Sequence, residues 1–164
     1  MTMFKSYGLF WRRDEVVWDP GIGKPFRLLG RIGAYTGTIR ITDFRKQHGI
    51  YILYGNHGSY YVGLAKNLGN RLRDHTYDHH YEQWDRFSWF GFRKVQAATD
   101  ENGFCKLSPM ATVTLTDPTK VISDVEALLI RAMGLRNINQ MGFSAADKWT
   151  QIQKDQIETY RDRL

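Results

Sequence analysis

Along the chain, apolar and polar residues alternate between strand-like and helix-like stretches. Residues 49–63, GIYILYGNHGSYYVG, hold two short apolar runs around a GNHG loop, the pattern of a β-hairpin. Upstream, EVVW (15–18) and TGTIRITDF (36–44) are strand-like, the second with period two. The Gly- and Pro-rich stretch over 18–37 between them reads as loop. KNLGNRLRDH (66–75) predicts a short helix, with Leu68 and Leu72 one turn apart and Asn67 as N-cap. Residues 78–86 are expected to form a second short helix, and FSWFGFRKV (87–95) a strand. TKVISDVEALLIRAMGL (119–135) is the clearest helix, with Ile122, Val125, Leu129 and Ala132 on one stripe and a glycine stop. SAADKWTQIQKDQIETYRDRL (144–164) reads as a polar amphipathic helix. From the hairpin onward the order is β-β-α-(α)-β-α-α. That is an α/β chain of the α+β type, its small sheet mainly antiparallel because a tight hairpin opens it.

Length and composition narrow the picture. The 164 residues amount to one domain, so residues 1–46 are expected to pack on the rest as a β-rich extension. The absence of a long apolar run argues against a transmembrane helix, and charge within the first apolar stretch argues against a signal peptide. The single Cys105 excludes an internal disulfide and a Cys-rich zinc site. A cytoplasmic setting is expected. The net charge is +6, and residues 1–46 carry +5 of it, nine Lys/Arg against four Asp/Glu. A basic arm on a near-neutral body favours a polyanionic partner such as nucleic acid.

The chemistry-bearing residues cluster downstream of that arm. GIGKP (21–25) lacks the spacing of a phosphate loop, and no serine sits in a nucleophile elbow. His75 and His79 have i,i+4 spacing, which can bind metal but more often marks a polar surface. Tyr51 and Tyr61 depend on register. A five-residue loop, Tyr54 to Gly58, sets them face to face, whereas a four-residue loop sends their hydroxyls to opposite faces. Arg71 and His75 share one helix face. Glu126 falls at the margin of the expected apolar stripe, where a carboxylate can be held by the core and still look into a cleft.

Taken together, GIY at 49–51, YVG at 61–63, NLGNRLRDH at 67–75 and EALLIRAMGLRNIN at 126–139 resemble the GIY-YIG nuclease superfamily. The resemblance implies an antiparallel three-stranded sheet flanked by helices, with a nuclease core over 47–143 and the C-terminal helix over 144–164. It also implies hydrolysis of DNA phosphodiester bonds with one divalent ion, Mg²⁺ or Mn²⁺. Tyr51 and Tyr61 match the family's two motif tyrosines, Arg71 its helix arginine, His75 the position a turn later and Glu126 its metal ligand. Asn137 matches the family asparagine, with Asn139 as the alternative.

Such chemistry needs an in-line water and a sink for charge on the phosphate. On the family's pattern, Glu126 would hold the ion and Arg71 would offer its fixed donor fork to the same phosphate. An isolated tyrosine ionises near pH 10. Arg71 and the metal are expected to lower that value for Tyr51, the favoured base, relayed by His75 with Tyr61 positioning water or phosphate. The two tyrosine roles are interchangeable at this level. A non-catalytic binding module of the same fold, or a nuclease acting on RNA or branched DNA, are the alternatives.

Overall fold

The computed structural model describes residues 3–34, 37–109, 118–133 and 146–161. In chain order its strands are β1 (Ser6–Arg12), β2 (Leu29–Ile32), β3 (Arg40–Asp43), β4 (Gly49–Gly55), β5 (Gly58–Ala65), β6 (Arg86–Gly91), β7 (Val95–Thr99), β8 (Cys105–Leu107) and β9 (Asp147–Gln151). Its α-helices are α1 (Leu68–Asp74), α2 (Pro118–Ala132) and α3 (Ile157–Arg161). No helix among the described residues is long and apolar enough to cross a membrane.

The architecture is mixed α+β, and the sheet is larger than expected. Strands β6, β4 and β5 lie side by side and antiparallel, as the family resemblance implies. They form only one end of a seven-stranded sheet, ordered β3-β2-β9-β1-β6-β4-β5 and mixed because β1 and β9 run parallel. The expectation of a small three-stranded sheet is therefore corrected. The additional strands come from both flanks, and β7 and β8 form a separate two-stranded ribbon.

Local pattern explains each departure. The loop expected over 18–37 contributes β2, whose Gly30 lies so close to Phe44 and Trp11 that a Cβ would collide with both rings. EVVW forms no strand; Arg13–Glu15 make a 3-10 turn and only Val16 of the four is buried. The helix expected over 78–86 is a run of turns, because Asp78 accepts from the His80 amide at 2.8 Å and offers the backbone an alternative to a helical bond. Over 144–164, the described part opens with β9 and is α-helical only at Ile157–Arg161. DKWTQ, polar except for its tryptophan, reads as helix locally, yet it buries a single side chain, Trp149, which a strand can present to the core.

The sheet buries both faces, and β4 alternates between them. Tyr51 and Leu53 join a core with Trp11, Phe44, Leu68, Leu72, Phe87, Trp89 and Trp149, so α1 covers this face. Ile52 and Tyr54 join Phe4, Tyr7, Phe90, Leu128 and Ala132, so α2 covers the other. Trp11 and Trp89 meet edge-on at 5.4 Å, and Phe44 contacts Trp89 and Trp149 at 4.3 and 5.0 Å. This aromatic cluster draws on β1, β6 and β9, so the flanking segments complete the core beneath the hairpin. A bulge in β1 sets Leu9 and Phe10 against Ser88 alone, with Phe10 at φ 53°, and so turns Trp11 into that cluster.

The apolar stripe of α2 is also corrected. Val125 and Leu129 are exposed, while Asp124, Ala127, Leu128 and Ala132 are buried. Asp124 accepts from the Met3 amide at 2.6 Å, so a carboxylate occupies part of the inward face that the apolar pattern assigned elsewhere.

Candidate active site

The register of β4 and β5 decides which tyrosines meet. Gly55 pairs with Gly58 across a two-residue turn, and Tyr54 pairs with Ser59. Continued without interruption, that register would set Ile52 against Tyr61 and send the Tyr61 ring to the α2 face. A bulge at Tyr60 intervenes, so Leu53 pairs with Tyr61 and Tyr51 with Gly63. Tyr51 and Tyr61 thus share a face as diagonal neighbours, their rings 6.1 Å apart. Neither loop length considered from sequence is present; the bulge supplies the shared orientation. The motif glycines leave room for it. A Cβ on Gly63 would run into the Tyr51 phenol, and one on Gly49 into the Phe90 carbonyl.

Helix α1 brings Arg71 and His75 to the same face. Asn67 caps it, its side chain accepting from the Asn70 amide at 3.0 Å, and the Leu68 amide donates to the Gln47 carbonyl at 2.9 Å. Gly69 lets the helix close against Arg45, where a Cβ would clash. His75, at the C-cap, is buried and lies 2.8 Å through Nε2 from the Tyr51 hydroxyl. Its Nδ1 lies 2.8 Å from Oδ2 of Asp78. His80 completes the cluster, 5.1 Å ring to ring from His75 and 4.9 Å from Tyr61, with its Nδ1 2.8 Å from the Tyr60 hydroxyl.

The electrostatics give this chain a direction. Burial works against ionised Asp78, but the His80 amide and the His75 ring outweigh it and hold the carboxyl below its ordinary range. An ionised Asp78 accepts from Nδ1–H of His75, which leaves Nε2 as the acceptor for the Tyr51 O–H. Tyr51 itself departs from expectation. Burial pushes its phenol up to about 12, and the opposing pull of nearby Arg71 is too small to reverse this. Tyr51 is fully buried, whereas Tyr61 is only partly so.

Of the residues singled out from sequence, Tyr51, Tyr61, Arg71 and His75 come together. Glu126 is exposed on α2, the helix that covers the opposite face of the sheet. Asn137 and Asn139 lie outside the described residues. His79 does not pair with His75 on a helix, since α1 ends at Asp74; its ring lies against that of His80 at 3.8 Å, tilted by 42°. Sequence reasoning missed Asp78 and His80, although HTYDHHYE contains both. It also missed Arg13, which holds the loop carrying them. Arg13 donates to the carbonyls of Tyr81, Trp84 (3.1 Å) and Thr76 (3.3 Å), and lies 4.6 Å over the Trp84 ring. One cation of the basic arm is therefore engaged inside the protein.

His75, Asp78 and His80 offer ligand atoms within 4.8 Å of one another, the chemistry of a nitrogen-rich metal site. Their hydrogen bonds argue for a different use. Both nitrogens of His75 are engaged by Tyr51 and Asp78, and Nδ1 of His80 by Tyr60.

Residues 47–102 match the family model described as GIY-YIG catalytic domain. The match takes in Tyr51, Tyr61, Arg71, His75, Asp78 and His80, and ends before Glu126. No curated protein and no solved structure matches the chain.

Proposed function

With residues 47–102 belonging to the GIY-YIG nuclease superfamily, we propose that the protein is a metal-dependent endonuclease that hydrolyses DNA phosphodiester bonds. The observation that carries this reading is the hydrogen-bonded chain Tyr51–His75–Asp78 beside Arg71 and Tyr61. Arg71 offers a permanently charged donor fork to the scissile phosphate, where charge develops in the transition state. Tyr61, the partly exposed phenol, faces the attacking water as its base. Tyr51 is the buried partner: its proton points to His75, so its oxygen presents lone pairs to Arg71 and fixes the guanidinium. Burial thus exchanges the two tyrosine roles favoured from sequence.

The proposed metal ligand is Glu126, by family resemblance. Its carboxylate is exposed, as Mg²⁺ or Mn²⁺ with several retained waters would require. However, α2 packs on the sheet face opposite Tyr51, so the fold does not bring Glu126 to the cleft that holds Arg71 and His75, and the assignment rests on the resemblance alone. Asn137 is proposed as a further site residue on the same resemblance.

The test is cleavage of supercoiled plasmid, linear duplex, branched DNA and RNA with Mg²⁺, Mn²⁺ or EDTA. Nicked or linear DNA is expected with either ion and none with EDTA. Arg71→Ala and Glu126→Ala should keep the circular dichroism of the parent and slow cleavage by about 10²–10³-fold. Glu126→Ala cutting at the parent rate would remove the metal assignment. A protein that cuts no DNA under any condition would remove the nuclease reading.

A further inference from the structure

Beside the site, the loop over residues 18–26 turns toward α1 and bounds a groove of about 730 Å³. Its lining carries four cations, Lys24, Arg45, Lys46 and Arg73, against one carboxylate, Asp19. Two of the cations are built in. Arg45 donates to the Phe26 carbonyl at 3.0 Å, and the guanidinium carbons of Arg45 and Arg73 lie 5.8 and 5.3 Å from the Phe26 ring centre. One aromatic ring thus gathers two like charges at the groove wall. Arg45 also meets Asp43 at 3.6 Å, a contact that leaves Lys24, Lys46 and Arg73 as the cations most open to a phosphate. Lys24 and Lys46 are exposed and have no ion-pair partner among the described residues. Arg73 meets Asp19 at 3.5 Å with both side chains well exposed, a contact weak enough to be exchanged for a phosphate.

The same loop has an unusual tip. Ile22 is fully exposed between Gly21 at φ 116° and Gly23 at φ 73°. Two residues in the left-handed region lift an apolar side chain away from the body, and no packing among the described residues accounts for it.

We propose that this groove seats the sugar–phosphate backbone of duplex DNA, with Ile22 meeting the base edges beside it. The inference rests on the nuclease reading, because α1 serves both places: Asn67, Asn70 and Arg73 line the groove while Arg71 reaches Tyr51. A backbone held along α1 passes the cleft. The groove's loop wall and both lysines precede the family match, which begins at residue 47. Phosphate contacts of this kind give affinity and register without reading sequence, and an apolar side chain at a base step is a recurrent wedge in DNA-binding proteins.

The experiment is fluorescence anisotropy with a labelled duplex of about 20 base pairs in EDTA, over a salt series, for the parent and the Lys24→Ala/Lys46→Ala variant. Both lysines are exposed, and circular dichroism checks the variant's fold. Affinity should fall about tenfold at physiological salt, and the slope of log affinity against log salt should shrink by about two. Ile22→Ser should weaken binding by about threefold without changing that slope. Unchanged affinity and slope in the double variant would overturn the proposal. So would a loss confined to single-stranded RNA. A parent protein that binds duplex through these lysines yet cuts nothing would sink the nuclease reading and leave the groove standing. A double variant that cuts with unchanged KM would sink the groove and leave the nuclease.

Discussion

Tyr51 and Tyr54 stand three residues apart on one strand, both buried and both hydrogen-bonded through the hydroxyl, yet they face opposite sides of the sheet. Tyr54 lies under α2 and donates to the Ala132 carbonyl at 2.7 Å. Tyr51 lies under α1 and meets the His75 ring at 2.8 Å, with Asp78 behind it and Arg71 close by. A main-chain carbonyl can accept a hydrogen bond but cannot take the proton, whereas an imidazole can do both. The same residue type on the same strand is thus a fastener on one face and part of a proton-bearing chain on the other. The partner, more than the tyrosine, makes the difference.

Raising pH should strain both faces, and the Tyr51 face more. Burial pushes up both phenols, Tyr51 to about 12. Between an unfolded tyrosine's value near 10 and that figure, the folded chain holds the proton that the unfolded chain has lost. Stability is therefore complete below about pH 10 and declines as pH rises toward about 12, with Tyr51 contributing on the order of 3 kcal/mol. Denaturant titrations from about pH 8 to about pH 11 should show the decline, and Tyr51→Phe should flatten it more than Tyr54→Phe. Equal flattening would erase the distinction between the faces.

Adjacent positions on β5 sharpen the comparison. Gly63→Ala drives a methyl group into the Tyr51 phenol and should cost about 2 kcal/mol, with cleavage falling as the site shifts. Val62→Ala, exposed on the opposite face, should change stability by less than about 0.5 kcal/mol. Thermal unfolding of the two variants decides whether the YVG glycine is needed for room or merely tolerated.

The most direct comparison removes one hydroxyl at a time. Tyr54→Phe leaves the Ala132 carbonyl without its donor and should cost about 1 kcal/mol with kcat unchanged. Tyr51→Phe should lower kcat roughly tenfold or more while stability changes by a similar 1 kcal/mol. A Tyr51→Phe enzyme with the parent's kcat would reduce Tyr51 to a second fastener.

What could be read from sequence divides along the same line. The grouping of Tyr51, Tyr61, Arg71 and His75 was legible because these residues sit in short motifs whose spacing survives translation into structure. The shared face of the tyrosines was not, since it depends on a bulge at Tyr60 that no residue type announces. Asp78 and His80 were hidden by reading HTYDHHYE at helical period, when a side-chain hydrogen bond to the His80 amide had already displaced the helix. On the other face, apolar periodicity chose Val125 and Leu129 as inward, and the capture of the Met3 amide by Asp124 accompanies the opposite orientation. Strand β9 has almost no local strand signal; its identity comes from its neighbours.

That last strand sets an order of events. β9 pairs with β1 on one side and with β2 on the other, so residues near 150 separate two strands that precede residue 33. While the chain is being made, β1 and β2 have unsatisfied edges that only β9 can fill. Long-range pairing of this kind slows folding and exposes strand edges in the interval. The hairpin and α1 can form early from local contacts. The wide aromatic core beneath them waits for Trp149, so the nascent chain can bring Tyr51, Tyr61 and His75 together before the sheet that supports them is closed.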